Sequence, residues 1–141
     1  MDLDQFVGRK YKLATADAKN FDEYLKFLEI GLVSRKTAGS VNPVVELTKD
    51  ENGYYVLTFH TLIKTVRSVF KIGEEFLEER PDGVKVKSKM TVEDGKLVHI
   101  QVEDNGRTSK HVRTFTDESI TAVTTAEGWD GECVRVYKYA S

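Results

Sequence analysis

Val84-Lys85-Val86-Lys87-Ser88-Lys89-Met90-Thr91-Val92-Glu93-Asp94-Gly95-Lys96-Leu97-Val98-His99-Ile100-Gln101-Val102-Glu103 is a pair of strand-like runs hinged on Asp94-Gly95. Asp-Gly between two such runs is a favoured two-residue hairpin signal, so 84–92 and 96–103 read as antiparallel neighbours. The pattern continues in both directions. Asn52-Gly53, Asp82-Gly83, Asp130-Gly131 and the Asn105-Gly106 of Asp104-Asn105-Gly106 punctuate further Val/Thr/Phe/Ile-rich runs. The candidate strands are 6–13, 43–50, 54–61, 64–72, 75–80, 84–92, 96–103, 107–115, 118–125 and 132–140. Successive hairpins make an antiparallel meander, and ten strands in 141 residues point to an all-β, ten-stranded up-and-down barrel, because closure removes exposed edges.

One segment breaks the pattern. Asn20 is placed to cap a helix, with Glu23 three residues later in a capping-box relationship. Phe21, Tyr24, Leu25 and Leu28 follow at i, i+3, i+4 and i+7 and make one apolar stripe, which Gly31 is positioned to end. A second short helix is expected from about Leu32 to Ala38, before Pro43 returns the chain to extended structure. The two form a helix-turn-helix that caps one end of the barrel.

The chain reads as a single domain, 1–141, with two prolines and no linker-like stretch. A net charge of −2 gives no electrostatic footprint for nucleic acid. No apolar run approaches the ~18 residues of a membrane span, and Met1-Asp2-Leu3-Asp4 is an acidic start unlike a signal peptide. With Cys133 alone no intrachain disulfide can form, which fits a reducing, cytoplasmic compartment. No nucleophile elbow, zinc-protease motif or phosphate loop is present. His60, His99 and His111 lack partners at metal-ligand spacing, so neither a metal nor another cofactor is expected.

The charged residues of the last strands carry the functional question. Arg135 and Tyr137 flank Val136 and project to the same face of a strand, and Arg113 lies in another alternating run. If that face is the interior, two buried guanidiniums demand protein carboxylates or an anionic ligand. If it is the exterior, both are ordinary solvated residues. Cys133 shares parity with Arg135 and reads either as a cavity thiol activated by nearby guanidiniums or as an inert buried one. A supply of interior His, Asp and Glu at matched parity, which a barrel enzyme would need, is not evident from the pattern.

Asn20-Phe21-Asp22-Glu23-Tyr24-Leu25-Lys26, Gly31-Leu32, Arg35-Lys36, Phe70-Lys71-Ile72-Gly73-Glu74-Glu75-Phe76, Leu97-Val98-His99-Ile100-Gln101 and Arg135-Val136-Tyr137, in this order, resemble the intracellular fatty-acid-binding proteins over nearly the whole chain. The resemblance implies a monomeric, non-enzymatic carrier. A long-chain fatty acid would be held inside the barrel, its carboxylate on Arg113, Arg135 and Tyr137, with Phe21, Tyr24, Ala38 and Asp82 at the portal. Retinoic acid is a competing ligand under the same resemblance, and an extracellular lipocalin-like binder is a rival of another class. Ile63 and Val84 depart from the family pattern, standing where many relatives carry a portal phenylalanine and some an arginine. Lys26, Arg35, Lys36, Lys64 and Arg67 form a candidate basic rim for transient contact with anionic membranes.

Overall fold

The computed structural model describes residues 3–141, so Met1 and Asp2 of the acidic start lie outside the described residues. The strands are β1 (Lys10–Thr15), β2 (Val44–Lys49), β3 (Tyr55–His60), β4 (Thr65–Phe70), β5 (Glu75–Glu79), β6 (Lys85–Glu93), β7 (Lys96–Val102), β8 (Thr108–Phe115), β9 (Ser119–Ala126) and β10 (Trp129–Tyr139). The helices are α1 (Ala18–Phe27) and α2 (Leu32–Ser40), and a 3-10 turn spans Leu3–Phe6. All ten strands form one antiparallel sheet in the order β4-β3-β2-β1-β10-β9-β8-β7-β6-β5. The expected ten-stranded architecture with its two-helix cap is therefore present. No helix among the described residues is long and apolar enough to cross a membrane.

β4 and β5 stand at the two ends of that order and share no ladder. Side chains bridge them instead: Ser68 Oγ on β4 donates to Glu78 Oε2 on β5 at 2.9 Å. Along this seam runs a cleft of about 390 Å³, lined by 64–69 and 76–81.

Period-two burial explains the core. Val86, Ser88 and Met90 on β6 are buried while Lys85, Lys87 and Lys89 are exposed. Tyr11, Val45, Leu47, Leu57, Phe70, Met90, Leu97, Phe115 and Ile120 form one buried apolar cluster contributed by the surrounding strands. The 3-10 turn closes one end, with Leu3 and Phe6 buried and the Phe6 ring 5.6 Å from Phe115. That plug displaces the first strand from the expected 6–13 to 10–15, because Phe6 is needed in the core rather than in the ladder.

The opposite end is covered by α1. Tyr24, Leu25 and Leu28, three of the four stripe residues, are buried against Ala126 and Trp129. Each such burial stabilises by roughly 1.5–3 kcal/mol. Two capping expectations are corrected. The helix begins one turn earlier, at Asp17, whose carboxylate accepts both the Asn20 side-chain amide and the Val134 backbone N–H at 2.8 Å, so Asn20 lies inside the helix. Glu29, at φ 65, turns the chain after α1, and Gly31 instead precedes α2 as its N-cap.

Asp130-Gly131 is also corrected: it lies within β10, not in a turn. The reversal from β9 uses Glu127-Gly128, with Gly128 at φ 85, a left-handed conformation that glycine adopts without steric cost. Gly131 serves another purpose. The Trp129 indole lies over it so closely that a Cβ would collide with the ring, and the β9–β10 register shifts between Trp129 and Cys133. This bulge lets Trp129 reach the Tyr24 ring, 5.6 Å away.

Candidate functional site

Strand register builds the site. Ala122 on β9 faces Arg113 on β8 and Arg135 on β10, so the three occupy one row on one face of the sheet. Two strand spacings place the arginine backbones roughly 10 Å apart. A small residue between them leaves the space above Ala122 open to both guanidiniums. Tyr137, two residues along β10, faces Ile120 in the next row. Arg113, Arg135 and Tyr137 are all buried, which decides between the interior and solvated alternatives.

Each guanidinium is held from behind. Arg113 Nη1 donates to His99 Nδ1 at 3.1 Å, and the group lies 5.7 Å from the Phe59 ring centroid. Arg135 Nη1 donates to the Ala16 carbonyl at 3.0 Å, its Nε reaches the Tyr137 hydroxyl at 3.4 Å, and Phe21 stacks 4.0 Å from its centre. Among the described residues, neither guanidinium makes an ion pair with a carboxylate. Burial pulls the Arg113 pKa below its ordinary value.

The interior also contains groups that the sequence pattern did not reveal. Glu78 Oε1 accepts from Ser88 Oγ at 2.6 Å, His99 Nε2 at 2.9 Å and Gln101 Nε2 at 3.1 Å, while Oε2 accepts from Ser68. Burial alone would raise the Glu78 pKa. The donated hydrogen bonds, led by that of His99, overcome it and hold the carboxyl well below the usual range. Arginine can only donate, so His99 Nδ1 accepts and its proton sits on Nε2. Gln101 presents its amide to Glu78, so its oxygen accepts from His111 Nε2 at 2.8 Å, and His111 Nδ1 accepts from Thr124 at 2.7 Å. Burial lowers the pKa of both imidazoles, with the Arg113 charge reinforcing it. The interior is thus better supplied with His and Glu than expected, yet every group is already engaged. The usable signal was parity: Glu78 follows Phe76 by two, and both point inward, whereas the apolar Leu77 between them is exposed.

The remaining predicted positions separate. Phe21 packs on the Arg135 guanidinium. Tyr24 lies beneath the cap, its hydroxyl donating to Ser109 Oγ at 2.8 Å and its ring 6.1 Å from His111. Ala38 packs on the cluster formed by Tyr24, Leu25 and Leu28. Asp82 is bound to Arg80 at 2.9 Å, in a rim group completed by Glu103 and Arg107. Arg107 also donates to the Phe27 carbonyl at 3.0 Å and to Glu29 at 2.9 Å, tying α1 to the barrel. Arg35 is likewise occupied, by Asp22 and the Ile30 carbonyl, and so drops out of the basic rim. Cys133 is buried, and burial followed by Asp17 pushes its thiol up to about 11 against the pull of Arg135, which favours the protonated thiol at neutral pH.

The chain matches the Lipocalin / cytosolic fatty-acid binding protein family over residues 8–140. It is 43% identical over 133 residues to a fatty acid-binding protein of Tyrophagus putrescentiae, covering 94% of this chain and 96% of that one. The crystal structure of a fatty acid-binding protein from Drosophila melanogaster brain tissue is 44% identical, superimposes with a TM-score of 0.83, and is covered over 98% of its length by 94% of this chain. A Schistosoma mansoni fatty acid-binding protein in complex with arachidonic acid is 29% identical with a TM-score of 0.86, each chain covering 100% of the other. In sequence, in strand order and in overall superposition, this chain belongs to the lipocalin / cytosolic fatty-acid-binding protein family.

Proposed function

We propose that the protein is a non-enzymatic cytoplasmic carrier that binds one long-chain fatty acid inside the barrel, with the carboxylate at Arg113, Arg135 and Tyr137. The observation that carries this reading is a charge imbalance. Arg80 has its own carboxylates at the rim, whereas Arg113 and Arg135 are buried and, among the described residues, make no ion pair, Glu78 reaching Arg113 only through His99. A monoanionic headgroup supplies the missing charge through charge-assisted hydrogen bonds. The family relatives named for fatty acids, and the arachidonic acid complex of one of them, support the same ligand class. Most gross affinity comes from the acyl chain at about 0.8 kcal/mol per buried methylene, and the clamp sets orientation.

Calorimetric titration of delipidated protein with oleate and palmitate tests it. Saturable binding of one acid per chain is expected, with a submicromolar Kd, equivalent to more than about 8 kcal/mol. A flat isotherm overturns the reading, and a clear preference for retinoic acid over both acids moves the protein to that ligand.

Delivery by contact with anionic membranes is the accompanying reading. Leu32 and Val33 on α2 and Leu62 and Ile63 in the β3–β4 turn are exposed, next to Lys36 and Lys64. Apolar residues beside basic ones suit a lipid surface, where each basic side chain contributes about 1 kcal/mol. Transfer of a fluorescent fatty acid to vesicles is expected to quicken with vesicle concentration and with anionic lipid content. A rate independent of both means release through water.

A further inference from the structure

We infer that His99 is a positioning residue for the clamp and takes up a proton when a ligand carboxylate engages Arg113. This rests on the carboxylate-clamp reading above. His99 stands between the two opposite interior charges, with Nε2 on Glu78 and Nδ1 on Arg113. The other groups facing its ring are Phe76 on β5, stacked at 6.4 Å, His111 on β8, at 5.4 Å, and Met90 directly opposite on β6. Arg135 lies beyond Ala122 in the neighbouring row and does not touch it. None of these supplies Nδ1 with a donor other than Arg113.

Without ligand, the Arg113 guanidinium opposes a second positive charge on the ring and its N–H fills the Nδ1 lone pair, so His99 is neutral. A carboxylate at Arg113 changes both conditions. It cancels the guanidinium charge, and it competes for the N–H groups that face Nδ1. The Nδ1 lone pair of this buried ring is then short of its protein donor, and a proton is the simplest replacement. Glu78, already on Nε2, is the counter-charge for the imidazolium that forms. The ring titration therefore lies at higher pH in the complex than in the free protein. Between the two, binding takes up protons, and affinity rises as pH falls, by at most about tenfold per pH unit for one proton.

Oleate titrations from pH 6 to 8 in buffers of different ionisation enthalpy read the proton count directly. The expected result for wild type is net uptake approaching one proton within that window, with His99→Gln still binding oleate, within about tenfold, and taking up none. His111→Gln is the companion variant and should keep the uptake. Imidazole NMR of the wild type, free and oleate-bound, gives the same answer without mutation: the His99 ring titrates at higher pH in the complex. Oleate binding without proton uptake, or uptake that survives His99→Gln, overturns the inference while leaving the clamp intact. Absence of any binding overturns the clamp itself, and this inference with it.

Discussion

The Arg113→Gln, Arg135→Gln double variant is expected to bind oleate roughly 30- to 5,000-fold more weakly than wild type, the equivalent of about 2–5 kcal/mol for truncating buried charged partners. Both guanidiniums face the space over Ala122, and the acid loses its charge-assisted partners on either side. An uncharged alcohol such as retinol never made those interactions. Its binding is expected to hold or improve, because glutamine satisfies a hydroxyl with ordinary hydrogen bonds and leaves no unpaired cation. The free variant should fold, since it removes charge from the interior rather than adding it. Parallel titrations with oleate and retinol decide the matter. Wild-type oleate affinity in the double variant would place the headgroup elsewhere in the barrel.

Glu78→Ala carries the largest expected cost to stability, on the order of 3–5 kcal/mol for breaking a buried charged network. Ser68, Ser88, His99 and Gln101 all donate to this one carboxylate, and its removal strands four donors while taking away the anion that lies behind Arg113 through His99. Glu78→Gln keeps the shape and should lose less. Urea unfolding of the ligand-free proteins measures both, and a loss under about 1 kcal/mol for the alanine variant would mean that water replaces the carboxylate at little cost. Acid sensitivity follows with a definite sign. The folded pKa of Glu78 is depressed, so its contribution is complete above the unfolded value near ~4.3 and fades as pH falls below it towards the folded one. Both variants should therefore lose less stability than wild type on acidification.

Local chemistry made much of this legible in advance. Asn52-Gly53, Asp82-Gly83, Asp94-Gly95 and Asn105-Gly106 all fall between successive strands, and three of the four residues of the expected helical stripe are buried. Arg135 and Tyr137 share a face because strands have period two. Asp130-Gly131 misled because the same dipeptide serves either a turn or a bulge, and the choice was made by Trp129 needing room to reach α1, a tertiary demand. Asn20 was passed over for Asp17 for a similar reason: Asp17 also accepts the Val134 N–H, 117 residues away. Glu78 escaped notice because Leu77 looks like the inward residue of β5. Only the polar partners on β4, β6 and β7 make a buried glutamate tolerable, and their convergence depends on how the sheet curls.

The two places where the ring of strands is completed differ greatly in what they ask of the chain. At the seam, Ser68 meets Glu78, ten positions on. Between β1 and β10, Tyr11 meets Tyr139 and Leu13 meets Tyr137, while every other ladder joins strands consecutive in the chain. Loop-closure entropy grows with the logarithm of separation, so the consecutive hairpins can assemble locally and the β1–β10 ladder must wait. A chain emerging from the ribosome can lay down strand after strand in order, yet Arg135 and Tyr137 belong to the last one. The proposed carboxylate clamp and the closing ladder therefore come into being in the same event, and a nascent chain that lacks β10 is expected to hold no ligand carboxylate.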